Sequence, residues 1–340
     1  MSTPSVSVIM PVFNAGAFVG PAIESVLDQT YRDLELIAID DASTDGSREV
    51  LARVRDPRCR VLANPANLGA AETKNRGLAE ARGEFMAFLD ADDLASPQRI
   101  ARQLDWMRTH PTVGVLGTSI EQIDNSGQIL GSSDLSESEP RALRARLLFQ
   151  NSIAQSTVLL RRSTLGELRF RKEFEPAEDY DLWVRVAEKN DPAVMPEVLV
   201  RYRVHSQSAS AVKGAAMVRA VRAIHAAQLG ELGLTDAGDM HAAAIANAPI
   251  ASLELLDSIA QWLLTLQQAN QARGFHNPAI FDAELRARWL TVGDRAYSLG
   301  MAGWNHWRSL KNLARGTSLG GLRLFGRALR RELARRVRHS

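Results

Sequence analysis

Two clusters of acidic residues carry the strongest chemical signal in this sequence. The first contains Asp90, Asp92 and Asp93, and the second is the pair Glu178 and Asp179. At about 4 Å and an effective dielectric constant near 20, two carboxylates repel each other by roughly 4 kcal/mol. Crowded acids must therefore face water, hold a proton or bind a cation.

The first cluster directly follows the run EFMAFL, which is typical of a buried strand. Hard oxygen ligands of this kind suit Mn²⁺ or Mg²⁺, and such ions are commonly held by one or two carboxylates together with substrate phosphates. The alternative is an acidic helix start that the dipole of the following helix stabilises. Because three further polar turns accompany this cluster, we favour the metal site.

The second cluster precedes apolar residues at Leu182, Trp183 and Val186, a spacing that predicts a helix whose first turn carries the acids. The apolar inner face of this helix directs Asp179 toward a cleft, where its carboxylate could remove a proton from a hydroxyl group. The alternative is a charged helix N-terminus without a chemical role.

Alternating segments indicate how these acids are positioned. From Ser5 to about Thr118, short apolar runs alternate with amphipathic segments of helical length, which is the βαβ rhythm of a parallel sheet covered on both faces. Such sheets bind ligands beyond the carboxyl ends of their strands. Four polar turns follow successive strands, and we expect them to form one site: PVFN, DDASTDGS, NPANLG and DADD.

The pattern changes after Thr118 and again after about Lys213. A hairpin, helices and two further strands are predicted first, and only helical periodicity follows, for instance around Leu256. We therefore expect an α/β domain at residues 1–215 and a helical region at 216–340. The predicted fold class is a doubly wound, mainly parallel, Rossmann-like sheet with a C-terminal helical extension.

Single polar residues near the strand ends could recognise a ligand. Asp41 could accept a hydrogen bond from the N3–H of a pyrimidine base, although capping of the turn is the alternative for Asp40 or Asp41. Asn67 and Lys74 open the third helix, where the lysine would meet a base or phosphate, or else be solvated. His205, after the last predicted strand, could complete a metal shell or be structural.

Composition and missing motifs exclude several classes. The 340 residues, 45% hydrophobic and 24% charged, are ordinary for a soluble globular protein. Cys59 is the only cysteine, so no intrachain disulfide or thiolate zinc cage can form. Walker A, HExxH, GxSxG and strand-linked GxGxxG motifs are missing. Neither a signal peptide nor an apolar run of about 18 residues is found, so we expect a cytoplasmic protein.

A basic segment closes the sequence. Leu322, Phe325, Leu329 and Leu333 fall at helical spacing, and arginines occupy most of the remaining surface. Such a helix could lie in the interface of an anionic bilayer, which would place the protein peripherally at the inner face of the membrane. The alternative is a helix that docks on the protein through its apolar stripe.

The ordered set of motifs resembles glycosyltransferase family 2, the inverting enzymes with a GT-A fold. The motifs are SVIMPVFNAG, IDDASTDGS, NLGAAETKNRGLAEARGEFMAFLDADD and AEDYDLWVRVAE, and the resemblance covers about residues 4–212. It implies transfer of a sugar from a nucleotide-diphosphate sugar, most often UDP-linked in that family, to a saccharide or lipid-linked acceptor. The product would be a cell-surface polysaccharide or lipopolysaccharide. No nucleic-acid partner is expected.

The resemblance also implies roles for individual residues. Asp179 would be the catalytic base, and Asp92 with His205 would hold Mn²⁺ or Mg²⁺. The residues expected to bind the nucleotide or the sugar are Pro11, Val12, Asn14, Asp41, Asn67, Lys74, Asp90 and Glu178. Two positions depart from the family pattern, because lysine replaces the frequent arginine at 74 and Ala15 stands where an acid is common.

Two other functions compete with this interpretation. A sugar-phosphate nucleotidyltransferase also uses a doubly wound sheet and acidic metal ligands, but the first strand is not followed by a glycine- and arginine-rich triphosphate loop. A non-catalytic binding module could keep the fold, but the presence of both Asp92 and Asp179 argues against it.

Overall fold

A computed structural model describes residues 3–133, 140–204 and 214–310. Contacts group the described chain into two compact units. The first unit contains the residues up to Arg144 together with Asn151–Ile224, and the second contains Ala145–Gln150 and the residues from His225 onward. The domain boundary near residue 215 stays a prediction.

In the described part of the first unit, nine strands form a single mixed sheet. The strands are β1 (Val6–Val12), β2 (Leu34–Asp40), β3 (Cys59–Ala63), β4 (Phe85–Phe88), β5 (Leu94–Ala95), β6 (Val113–Ile123), β7 (Ile129–Ser133), β8 (Leu159–Arg161) and β9 (Asp191–Arg203). Their order is β3-β2-β1-β4-β8-β6-β9-β5, and β7 pairs with β6.

One half of the sheet is parallel and the other half is mixed. In the parallel half, β1 lies between β2 and β4, with Val6 opposite both Leu34 and Phe85. Every residue of β2 is buried, as is expected of a parallel strand covered on both faces. In the mixed half, β8 runs antiparallel to β4 and β6, whereas β9 runs parallel to β6.

The helices before residue 190 cover the sheet or connect its strands. They are α1 (Val19–Leu27), α2 (Ser47–Leu51), α3 (Ala70–Glu80), α4 (Arg99–Thr109), α5 (Pro140–Arg146), α6 (Arg162–Leu165) and α7 (Glu178–Ala187). The helix predicted at the acidic pair is confirmed as α7, whose Leu182, Trp183 and Val186 are fully buried.

The described residues after 213 form helices joined by short turns, as predicted from their periodicity. The helices are α8 (Gly214–Glu231), α9 (Gly238–Ile245), α10 (Leu253–Arg273), α11 (Pro278–Arg295) and α12 (Gly300–Ser309). In the core of the second unit, Leu256 and Leu263 are fully buried, and the Trp307 indole donates to the Trp289 carbonyl at 3.0 Å. No helix in the described ranges is long and apolar enough to span a bilayer. The basic segment after residue 310 lies outside them.

Gly77 allows α3 to approach the sheet closely. A Cβ atom at this position would lie 2.4 Å from Cγ2 of Ile9 and 3.1 Å from Cδ1 of Ile39, both core side chains. At Gly20 in α1, by contrast, the nearest atom would be Cγ1 of Val50 at 3.6 Å, an ordinary contact. Gly77 is therefore required by packing, whereas Gly20 is not.

We predict that Gly77→Ala lowers the free energy of unfolding by about 1–3 kcal/mol, because overpacking of the core outweighs the gain in helix propensity. The matched substitution Gly20→Ala should leave stability unchanged or raise it by up to about 1 kcal/mol. Urea unfolding of both variants measures the difference. Equal stability of the two variants would show that α3 does not pack as described.

Candidate active site

The loops that follow β1, β2, β3 and β4 lie at one edge of the sheet, because these four strands are neighbours and run parallel. The topology therefore brings the four predicted polar turns to the carboxyl edge, where open α/β sheets bind ligands. Two residues with expected roles, Pro11 and Val12, end β1 at this edge, and the Val12 carbonyl accepts from the Asp41 backbone N–H at 2.8 Å.

The loop after β1 is held by side chains of the loop after β2. Asn14 has a positive φ of 51°, and its side-chain oxygen accepts from the Thr44 N–H at 2.8 Å. The Ser43 hydroxyl accepts from the Asn14 N–H at 3.1 Å, and the Ser47 hydroxyl accepts from two further backbone N–H groups of the loop. The adjacent Phe13 ring is half exposed. The loop is thus fixed while an aromatic face stays accessible.

The two acids that close β2 are both buried but have different partners. The Asp40 carboxylate accepts from the Arg48 guanidinium at 3.0 Å and from the Ser43 N–H, so it stabilises its own turn. The Asp41 carboxylate accepts from Asn64 at 2.7 Å and from the backbone N–H groups of Leu68 and Gly69. Asp41 therefore shapes the loop before α3.

The acidic turn after β4 concentrates negative charge at the same edge. The Asp90 N–H donates to the Ser156 hydroxyl at 3.0 Å, and the buried Asp93 carboxylate accepts from the Arg203 N–H at 2.7 Å. Burial, together with Asp92 and Asp90, raises the pKa of Asp93 well above its ordinary value. Burial also raises the pKa of Asp90, against the opposing influence of Lys74. The three carboxylates thus act on one another electrostatically.

The donor set of this turn fits a hard divalent cation. Asp90 and Asp92 are partly exposed at the edge, and carboxylate oxygens are the ligands that Mg²⁺ and Mn²⁺ prefer. Their mutual repulsion would be relieved by a dication. The residues that the structure describes contain no ready cluster of three or more His, Cys, Asp or Glu ligands. A cation here would share its shell with water or phosphate oxygens, as Mg²⁺ usually does.

Lys74 connects the acidic turn with the acids of α7. Its ammonium lies 2.7 Å from Oε1 of Glu178, and both side chains are about 95% buried. Burial alone would lower the pKa of Lys74, but Glu178, Asp90 and Asp179 outweigh it and raise the pKa. Lys74 is therefore neither solvated nor isolated, because it compensates carboxylates from both acidic clusters.

Asp179 has the properties of a proton acceptor that works near neutral pH. Its side chain is partly exposed, and its oxygens accept from the Asn151 amide at 3.0 Å and from the Tyr180 N–H at 2.7 Å. Burial is the main cause that raises the pKa of Asp179 to about 6, and the charge of Glu178 adds to it, whereas Lys74 opposes it. A carboxylate with such a pKa can accept a proton and release it again.

Several residues of the site were not singled out from the sequence. Asn151 orients Asp179, and Glu175 accepts from the Ala71 N–H at 2.7 Å in the first turn of α3. Gly69 has a φ of 96°, and a Cβ atom there would lie only 2.8 Å from the Glu175 carboxylate. Glu175 precedes the acidic pair by three residues in EPAED, which was the available signal.

For Asn67 and His205, the structure gives less information about the expected roles. Asn67 lies exposed in the loop before α3, at the edge where the polar turns meet. His205 lies outside the described residues, and its metal role stays a prediction. A further residue, Gln155, was assigned no role from the sequence; it lies buried in a short 3₁₀ helix beside the acidic turn, and neither atom of its amide has a hydrogen-bond partner among the described residues.

Comparisons with known proteins identify the family of this chain. The family model described as glycosyl transferase family 2 matches residues 7–168. A UDP-Glc:alpha-D-GlcNAc-diphosphoundecaprenol beta-1,3-glucosyltransferase of Escherichia coli, WfaP, is 32% identical over 215 residues, which cover 63% of this chain and 83% of that protein.

Two solved structures are similar in fold. Staphylococcus aureus TarS 1–349 in complex with UDP-GlcNAc superposes with a TM-score of 0.57 at 20% identity, with 91% of each chain covered. The mannosyltransferase PcManGT from Pyrobaculum calidifontis, in complex with GDP-Man and Mn²⁺, gives 0.54 at 18% identity and covers 97% of this chain and 87% of that one. These similarities confirm the expected GT-A type architecture. The chain is a member of glycosyltransferase family 2.

Proposed function

We propose that this protein is a metal-dependent, inverting glycosyltransferase that moves a sugar from a UDP-linked donor to a saccharide or lipid-linked acceptor. The observation that carries the proposal is the buried ion pair of Lys74 with Glu178 at 2.7 Å, because Asp90 and Asp179 also act electrostatically on this ammonium and the two acidic clusters are thereby linked. One cluster suits a cation and a diphosphate, and the other suits removal of a proton.

The residues around the carboxyl edge divide into a donor side and an acceptor side. On the donor side, Asp92 would hold Mn²⁺ or Mg²⁺ and Asp90 would contact the sugar. A bound dication supplies Lewis-acid stabilisation of the charge that develops on the departing diphosphate. The residues proposed to cradle the nucleotide are Pro11, Val12, Asn14, Asp41, Asn67 and Lys74. Because Lys74 already pairs with Glu178, it would act on the diphosphate mainly through its charge.

On the acceptor side, Asp179 would act as the base. Its carboxylate accepts the proton of the acceptor hydroxyl while the acceptor oxygen bonds to the anomeric carbon, and the bond from that carbon to the diphosphate oxygen breaks. Attack from the face opposite the leaving group inverts the anomeric configuration. Asn151 keeps one oxygen of Asp179 oriented by donating to it. Glu178 keeps the pKa of Asp179 raised.

The nature of the acceptor is inferred from the relatives. The name of WfaP specifies a UDP-glucose donor and a diphosphoundecaprenol-linked acceptor, and TarS was solved with UDP-GlcNAc. We infer a comparable role for this chain in the synthesis of cell-surface polysaccharide or lipopolysaccharide. The basic segment after residue 310 would contact the anionic inner face of the membrane and so approach a lipid-linked acceptor.

The donor and the metal can be tested together. Incubation with Mn²⁺ and a panel of UDP-glucose, UDP-GlcNAc and GDP-mannose should release the nucleoside diphosphate slowly from one donor. Asp92→Ala should lose the Mn²⁺-dependent part of donor binding, measured by calorimetry, because a metal ligand is removed. Consumption of pyrophosphate would instead indicate a nucleotidyltransferase, and complete inertness of the parental protein would indicate a binding module.

Asp179→Asn should keep donor binding but lower the rate of transfer by about 10²–10⁴-fold, the usual contribution of a general base. The donor Kd and the turnover number with a saccharide acceptor measure the two effects separately. Glu173→Gln removes an exposed acid five residues before α7 and serves as the matched control, with unchanged turnover. Transfer by Asp179→Asn at the parental rate would exclude Asp179 as the base.

The pH dependence of transfer follows from the pKa of Asp179. Because only the ionised carboxylate accepts a proton, kcat/KM should fall about tenfold per pH unit below about 6 and reach a plateau above it. Glu178→Gln should move this acidic limb to lower pH, since the charge of Glu178 raises the pKa of Asp179. Donor affinity measured over the same range separates this effect from titration of the acidic turn. If the acidic limb of the kcat/KM profile stays at the same pH in Glu178→Gln, Asp179 is not the group that titrates there.

A further inference from the structure

Arg203, the last residue of β9, is 94% buried and contacts several distant segments. Its backbone N–H donates to Oδ1 of Asp93 at 2.7 Å, and its Nε donates to the Asp92 carbonyl at 2.8 Å. Its Nη1 donates to the Asp124 carbonyl at 2.6 Å, just after β6. Its guanidinium carbon lies 4.4 Å from the centre of the Phe18 ring.

These contacts join three segments that are distant in the sequence. The acidic turn is held through Asp92 and Asp93, the end of β6 through Asp124, and the loop after β1 through Phe18. A planar guanidinium with five donors in fixed directions suits such a junction, because several acceptors can be bound at once. Lysine, with a single flexible ammonium, cannot reproduce this geometry.

We propose that Arg203 is a positioning residue for the divalent cation. The inference rests on the proposed metal site at Asp92 and adds a residue that does not touch the ion. Metal–ligand distances are tolerated within about 0.2 Å, so the backbone that carries a ligand must be fixed. The Arg203 guanidinium fixes this backbone at the Asp92 carbonyl, next to the bond between the Arg203 backbone N–H and the Asp93 carboxylate.

The direction in which Mn²⁺ affinity changes when Arg203 is substituted distinguishes positioning from simple electrostatics. Arg203 is a cation close to the proposed metal ligands, so its charge alone repels Mn²⁺. If charge were its main influence, removal of the guanidinium would strengthen Mn²⁺ binding. If Arg203 holds the acidic turn in place, its removal weakens binding although a repulsive charge has been lost.

The test measures Mn²⁺ affinity by the EPR signal of free Mn²⁺ in the presence of saturating UDP, with thermal unfolding of each variant in parallel. Arg203→Met should weaken Mn²⁺ binding by about 10–100-fold, the range typical of residues that orient metal ligands. Arg203→Lys, which keeps the charge and one donor, should give an intermediate value. If the methionine variant does not fold, the lysine variant decides, with several-fold weaker binding expected.

Arg295→Met is the matched control, because Arg295 is 93% buried in the second unit and donates to three backbone carbonyls. It should lower the melting temperature but leave Mn²⁺ affinity unchanged. Unchanged or tighter Mn²⁺ binding in the Arg203 variants would overturn the inference. Failure of the parental protein to bind Mn²⁺ with UDP would instead refute the metal site on which the inference rests.

Discussion

A buried ammonium group among carboxylates is the interaction on which the candidate site depends. Without the charge of Lys74, the acids at 90, 178 and 179 would repel one another in a poorly solvated cleft, and the pKa values of Asp90 and Asp179 would rise further. With it, the two acidic clusters coexist, and the pKa of Asp179 stays low enough for the residue to ionise. The ion pair of Lys74 with Glu178 also fixes α7 against α3, so the same interaction compensates the charges and sets the geometry of the site.

The parts of the fold that depend on local pattern could be predicted from the sequence. Parallel strands buried on both faces are continuous apolar runs, so β1 and β2 coincide with the apolar runs VSVIMPV and LELIAID of the sequence. The acid-bearing start of α7 followed from apolar spacing. The mixed half of the sheet was less predictable, because the pairing of β8 with β4 and β6 depends on contacts between distant segments. In the strand-like run AQSTVLLR, only Leu159–Arg161 pairs with β4.

The contacts that orient the candidate residues could not be predicted, because they join residues far apart in the chain. Lys74 and Glu178 are 104 positions apart, and Arg203 and Asp93 are 110 apart. A lysine on an isolated helix is expected to be solvated, and only the packing of α7 against α3 places a carboxylate beside it. The sequence thus indicated candidate residues for the chemistry, but the partners of these residues depend on tertiary structure.

The bond between Glu175 and the first turn of α3 has a consequence for how such a chain can diversify. Glu175 lies so close to Gly69 that any larger residue at 69 would displace the carboxylate. The loop that contains Gly69 and the segment EPAED therefore constrain each other's sequence. A lineage that remodelled EPAED would have to change the neighbouring glycine loop as well, so the two segments would evolve together.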